Sequence, residues 1–211
     1  MIVMYRLISV IVRAIIWLIN GKINVCGKEN IPKNEKFILV APHRTWWDPV
    51  WFAIVMWPMR FIFMAKKELF KNKFLGWFIS GLGAFSVDRE HAGPSAIRIP
   101  VQELKTGSRS FMIFPSGSRH SSQLEGGAIV IAKMSGKSLL PVVYQGPLQF
   151  KGLFKRGSTS VAIGPAITVD RHADKERVIL QMQKAFAELD KKINKDWKYV
   201  DQHPEKENLD K

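Results

Sequence analysis

The sequence predicts an α/β fold: a mostly parallel, helix-covered sheet of about six to seven strands, preceded by an amphipathic helix at the amino terminus. Three observations lead there. Short apolar runs alternate with longer helical patterns, as in successive strand–helix–strand units. The runs are nearly continuous in Val, Ile, Leu and Phe, the pattern of strands buried on both faces. The 211 residues, 46% hydrophobic with 13 Phe and 7 Trp, suffice for one domain with a sizeable core.

The elements follow in order. Residues 1–21, "MIVMYRLISVIVRAIIWLING", place Arg6, Arg13 and Asn20 seven apart, so a helix carries them on one face with Ser9 beside them. The remaining faces are Ile, Val, Leu, Met and Trp17. Arg13 interrupts what would be a signal-peptide centre, and no small-x-small cleavage site follows. Two Arg within the length of a span make crossing a bilayer expensive. The expectation is a helix lying in the headgroup layer, Arg toward lipid phosphates and apolar side chains in the acyl region.

"KFILVAPH" (36–43) reads as a buried strand running into a loop. Asp48-Pro49 has the chemistry of a helix cap and first turn, and opens the short apolar helix "VWFAIVMW", stopped by Pro58. "RFIFMA" (60–65), "AFSVD" (84–88), "SFMIFP" (110–115) and "SLLPVVYQG" (138–146) read as further strands, and "STSVAIGPAIT" (158–168) adds one or two. Between them lie an amphipathic helix over 66–81, a helix over 94–107 that Pro100 should kink, and "GAIVIAKMSG" (127–136). A long helix over 174–195 closes a domain spanning 22–200, and 201–211 form a polar tail.

Composition narrows the function. Residues 1–120 hold 17 basic and 7 acidic side chains, so most of the net charge of +14 lies with the aromatics rather than in a basic tail. A basic, aromatic-rich surface suits anionic lipid or a phosphate-bearing substrate. Nucleic acid is the rival on charge alone, but no nucleic-acid motif is present, and none is expected as a partner. Cys26 is the single cysteine, which excludes an intrachain disulfide and a Cys-based metal site. No carboxylate or His cluster reads as a metal site, and no cofactor is expected.

In parallel sheets the polar residues just past the strand ends build the site. Here each strand end supplies a proton-transfer group or cations: His43, then Lys66 and Lys67, then Arg89, then "SGSRH" (116–120). His43 and Asp48 are five positions apart in "HRTWWDP". Imidazole titrates near neutrality, and a carboxylate on one ring nitrogen fixes its tautomer and stabilises the imidazolium. A turn can fold Asp48 back onto His43. Arg presents a fork matched to phosphate oxygens, and Lys a point charge. Arg119, behind a glycine that permits close backbone approach, is the leading phosphate ligand, followed by Arg89 and Lys66. Against these stand ordinary roles: Arg89 paired with Asp88 or Glu90, Lys66 merely solvated. His91, His120, His172 and His203 have no partner at useful spacing, although His120 adjoins Arg119. Trp46, Trp47, Trp51 and Trp57 suit core packing, an acyl-chain tunnel or a membrane-facing rim.

"HRTWWDP" resembles the His-x4-Asp box of the glycerolipid acyltransferases, the lysophosphatidic acid acyltransferases in particular. "GAFSVDRE" (83–90), "FPSGSRH" (114–120) and "LLPVVYQG" (139–146) resemble the second, third and fourth boxes in the family's order, and "MAKKELF" (64–70) the stretch between the first two. The likeness covers roughly residues 35 to 170, and four ordered boxes are far more specific than one.

The resemblance implies an O-acyltransferase of the glycerolipid acyltransferase fold, in which His43 is the general base and Asp48 its orienter. It implies transfer of an acyl group from an acyl thioester, acyl-CoA or acyl carrier protein, to the sn-2 hydroxyl of 1-acyl-glycerol-3-phosphate (lysophosphatidic acid), giving phosphatidic acid with no acyl-enzyme. The implied partners are these two substrates and an anionic membrane, at the cytoplasmic face of which the protein would be peripheral or monotopic. Backbone N–H groups around Ser116, Gly117 and Ser118 would support the oxyanion. In one respect the chain departs from the pattern: where the third box has Glu, this chain has Ser116, with Ser118 in place of Thr. Two alternatives are kept open: an acyltransferase for another lysophospholipid, or a non-catalytic binder of anionic lipid.

Overall fold

The structure, a computed structural model, describes residues 2–45, 47–88, 93–116, 124–148 and 150–196, with the side chains of the first helix described from Ile8 onward. Helix α1 (Ile2–Asn20) precedes strand β1 (Asn24–Cys26), β2 (Ile38–Val40) and helix α2 (Asp48–Val55). Next come β3 (Phe61–Lys66), α3 (Lys73–Gly81), β4 (Ala84–Val87) and α4 (Ser95–Thr106). The chain continues through β5 (Ser110–Ile113), α5 (Gly127–Ser135), β6 (Leu139–Gln145), β7 (Ser160–Ile163) and α6 (Lys175–Ile193).

These strands form one seven-stranded sheet in the order β1-β7-β6-β2-β5-β3-β4. Strands β6, β2, β5, β3 and β4 are mutually parallel, whereas β7 pairs antiparallel with β6 and β1 parallel with β7. The parallel strands are apolar on both faces because both are covered. On one side, Val101 and Leu104 of α4, Ile129 and Ala132 of α5, and Met182 and Phe186 of α6 pack on Ile38, Phe111 and Val143. On the other, Trp51 and Phe52 of α2 and Met56 just after it, with Ile16 of α1 against them, pack on Leu39, Met112 and Leu140. This is the division that the right-handed rule for parallel crossovers expects: β2-α2-β3 steps outward along the sheet, while β4-α4-β5 and β5-α5-β6 step back.

Local details depart from the expectations in two places. The helix expected over 66–81 breaks into a 3-10 turn (Lys67–Phe70) and α3, because the Asn72 side chain accepts from Leu75 N–H and starts a new helix. Helix α4 is one element through Pro100, as expected, with that ring buried in its packed face. Strand β1, only three residues between Gly21 and Gly27, has no apolar run to announce it.

Helix α1 is amphipathic, and its stripe is split at the two positions whose side chains are described. Arg13 is exposed, whereas the end of the stripe turns into the protein. Asn20 is buried, its amide donating to the carbonyls of Leu153 at 3.1 Å and Lys155 at 3.3 Å. Arg13 lies over the Trp57 ring, 5.4 Å from its centroid. Arg156 donates to the Leu18 carbonyl at 2.7 Å and fastens the end of the helix. Beside Arg13 the outward face is apolar: Val10, Ile11, Ile15, Trp17 and Leu18 are exposed, the last two by 63% and 67%. Among the described residues no helix is long and apolar enough to cross a membrane.

Candidate active site

Strand register gathers the chemistry along one edge. Val40 of β2 is level with Ile113 of β5, so His43 and Ser116, each three residues further on, leave the sheet side by side. Phe63 of β3 is level with Met112, which puts Lys66 level with Pro115 at the same edge. Lys66 in turn pairs with Val87 of β4, two residues before Arg89. The edge is the carboxyl end of the five parallel strands, where such sheets place their sites.

The turn from Ala41 to Asp48 is built around one carboxylate. Asp48 is fully buried, and its Oδ2 accepts from the backbone N–H of Arg44 at 2.7 Å, from that of Thr45 at 2.8 Å, and from His43 Nδ1 at 3.1 Å. Its Oδ1 accepts from the Thr45 hydroxyl. A buried carboxylate is tolerable only when its lone pairs are met in this way. Asp48 is the first helical residue of α2 and Pro49 the second, one position later than the sequence suggested; its carboxylate caps the preceding turn rather than its own helix.

The His43 ring, 12% exposed, is sandwiched into place. It stacks on Phe114, centroids 4.2 Å apart and planes 24° apart, and Phe52 packs behind Phe114 at 6.3 Å. Since a carboxylate only accepts, Nδ1 carries the proton and Nε2 its lone pair. Among the described residues Nε2 has no hydrogen-bond partner. Carboxylate and ring stack together fix the imidazole's position, tilt and tautomer.

Arg44 turns the other way. Its guanidinium, 6% exposed, makes a two-pronged ion pair with Asp190 of α6, Nη1 reaching Oδ1 at 2.9 Å, and also donates to the Tyr144 carbonyl of β6. Gln145 donates to Asp190 Oδ1 and to the Asp190 carbonyl, each at 2.9 Å. Trp47 and Trp51 are buried, and Trp51 stacks on Tyr144 at 5.8 Å, so these two rings pack the core beneath the turn rather than line a tunnel or rim. Burial, the largest influence, pushes the Tyr144 hydroxyl well above the ordinary phenol range.

The remaining expected site residues divide cleanly. Lys66 is exposed at the strand edge. Ser116 is 6% exposed, a buried hydroxyl where the resembling box carries a carboxylate. Lys67 pairs with Asp88, the acid once set against Arg89. Arg89, Gly117, Ser118 and Arg119, together with His91, His120, His203 and Trp46, lie outside the described residues. Phe114, Thr45 and Asp190 were missed as site residues; Phe114 stood in a quoted box, but nothing in the sequence ties Asp190 to position 44. A cleft of about 330 Å³ lined by Arg60, Gly83 and Arg109 opens at the opposite, amino-terminal edge of β3, β4 and β5, away from this chemistry.

A carboxylate-anchored imidazole at the carboxyl edge of a doubly covered parallel sheet is the layout of an α/β enzyme. The particular kind follows from comparison: the chain belongs to the Acyltransferase family, whose model matches residues 22–169, and it is an O-acyltransferase. It is 44% identical over 199 residues to the 1-acyl-sn-glycerol-3-phosphate acyltransferase of Streptococcus pneumoniae, covering 92% of this chain and 75% of that one. To the protein of the same name from Bacillus subtilis it is 40% identical over 163 residues, 76% of this chain and 81% of the other. The crystal structure of the 1-acyl-sn-glycerophosphate (LPA) acyltransferase, PlsC, from Thermotoga maritima shares the fold with a TM-score of 0.73 at 23% identity, over 92% of this chain and 81% of that one.

Thr45→Val tests the carboxylate cradle. It leaves one buried Asp48 oxygen without its hydroxyl donor, and unfolding by denaturant should report a loss of about 1–3 kcal/mol; an unchanged midpoint would show that the cradle does not need this bond.

Proposed function

We propose that the chain transfers a fatty acyl group from an acyl thioester, acyl-CoA or acyl-ACP, to the sn-2 hydroxyl of 1-acyl-glycerol-3-phosphate, giving phosphatidic acid. The observation that carries the mechanism is the His43–Asp48 contact, with Nε2 unpartnered among the described residues; the substrate comes from the names of the relatives at 44% and 40% identity. In this reading Nε2 takes the hydroxyl proton as the oxygen attacks the thioester carbonyl carbon. The tetrahedral oxyanion collapses, the C–S bond breaks, and the imidazolium returns its proton to the departing thiolate. Asp48 keeps the ring in the Nδ1–H tautomer and stabilises the imidazolium throughout.

No acyl-enzyme is required. Cys26, the one cysteine of the chain, lies on β1, separated from β2 by β7 and β6. Arg119, Arg89 and Lys66 would hold the substrate phosphate, and backbone N–H groups of the Ser116-Gly117-Ser118 loop would receive the oxyanion. Ser116 supplies no charge, so phosphate and oxyanion would be met by cations and N–H groups without a competing carboxylate there.

Helix α1 would place this site at the cytoplasmic membrane surface as a peripheral or monotopic anchor, with residues 22–200 the catalytic body and 201–211 a tail. Its support is the exposed arc of the helix: Asn20 is held by the protein itself, and apolar side chains with Arg13 beside them are left outward. A right-handed β3-α3-β4 crossover would put α3 on the same side of the sheet, and its Phe74 and Trp77 are also exposed. An anionic membrane would meet this layer together with the positive charge of the chain.

The decisive assay is a matrix of acyl-CoA and acyl-ACP donors against lysophospholipid acceptors. Wild type should acylate 1-acyl-glycerol-3-phosphate, and His43→Ala should lower kcat by roughly 10³-fold or more, the scale of losing a positioned base. Turnover only with another headgroup would move the acceptor assignment, and no acyl transfer with any pair would refute the reading. Separately, Trp17→Glu combined with Leu18→Glu should reduce co-sedimentation with anionic phospholipid vesicles by about tenfold or more; undiminished binding would exclude α1 as the anchor.

A further inference from the structure

We propose that Asp190, near the end of the closing helix α6, is a positioning residue for the reaction: acting through Arg44, it clamps the turn that holds His43 against Asp48. This rests on the His43–Asp48 reading of the site. Arg44 belongs to two structures at once. Its backbone N–H donates to Asp48 Oδ2 at 2.7 Å, so the main chain at this residue is part of the carboxylate cradle and follows His43 directly. Its guanidinium is held 146 positions away by both oxygens of Asp190, with the Tyr144 carbonyl as a further acceptor.

The far end of the clamp is itself fastened. Gln145 at the end of β6 donates to both the side chain and the backbone carbonyl of Asp190, and α6 buries Val178, Met182, Phe186 and Leu189 against the sheet. Asp190 therefore cannot swing with Arg44; it is a fixed post. The Arg44 and Asp190 side chains are 6% and 17% exposed, so solvent does little to weaken the pair or to replace either partner.

The geometry fits positioning better than simple bracing. A fold needing only to dock α6 on β6 and β7 already has the apolar face of that helix. The ion pair adds a constraint on one main-chain segment, the two residues that follow His43 and feed N–H groups to Asp48. A planar, five-donor guanidinium gripped at three points resists rotation as well as displacement. Releasing it frees the turn to drift, and a shift near 1 Å at a proton-transfer geometry is enough to cost about 10²-fold in rate.

The test uses the full chain in vesicles or detergent with three variants: Asp190→Asn, Arg44→Lys, and the double substitution Arg44→Met with Asp190→Leu. The double variant removes both buried charges and should regain most of the thermal stability that Asp190→Asn loses. If Asp190 positions the turn, kcat for acyl transfer to 1-acyl-glycerol-3-phosphate falls about 10²-fold in Asp190→Asn and stays low in the double variant, with KM within about twofold. Amide hydrogen exchange at Arg44 and Thr45 should accelerate at least tenfold in both, while the β2 and β5 amides keep their protection. Arg44→Lys, which keeps the charge and loses the fork, should fall between, and serves if Asp190→Asn does not fold. Recovery of kcat together with stability in the double variant, or unchanged exchange at 44 and 45, would overturn the proposal and leave the acyltransferase reading intact. Should wild type transfer no acyl group at all, the reading of function fails and the exchange rates alone decide whether Asp190 holds the turn.

Discussion

Everything at the sheet edge is arranged so that one carboxylate can be buried. Asp48 has no access to water and replaces its hydration with two backbone N–H groups, a hydroxyl and an imidazole. The first three donors are local, from residues three and four positions earlier, and they bend the chain into the turn. The fourth is His43, which the turn can supply only in one orientation. The constraint that makes the acid tolerable is therefore the same constraint that aims the base, which is why the spacing of four intervening residues carries chemical meaning.

The sheet contributes level and direction. Because β2 and β5 are in parallel register, the residue that stacks on His43 comes from the neighbouring strand end, Phe114, and the loop after it begins beside the imidazole. The antiparallel β6–β7 pair ends the parallel run, and α6 returns across it to reach Arg44. The catalytic turn is thus held by its own hydrogen bonds, by a ring from the adjacent strand and by an acid from the last helix. Apolar surface is left over rather than covered on α1 and α3.

Much of this was legible in the sequence and some was not, for identifiable reasons. His43, Asp48 and the strand ends could be read because apolar runs mark parallel strands and polar residues after them mark the edge. The helical period of α1 was legible, but what each residue of its stripe would meet was not: periodicity sorts residues into faces without saying what each face touches, and Asn20 finds its partners in a loop more than 130 positions away. The same limit hid Asp190, one of three acids on a helix rich in charges until the fold brings it to Arg44. Strand β1 has too few residues to show a pattern, and it exists because β7 offers it an edge.

The central claim is that His43 is held as a base, with its proton on Nδ1 and its lone pair on Nε2. The ¹⁵N spectrum of the His43 ring in the whole chain, recorded at alkaline pH, measures this directly. A protonated Nδ1 with a bare Nε2, lost in Asp48→Ala, is the predicted result. A ring protonated at Nε2, or a spectrum indifferent to Asp48, would contradict it.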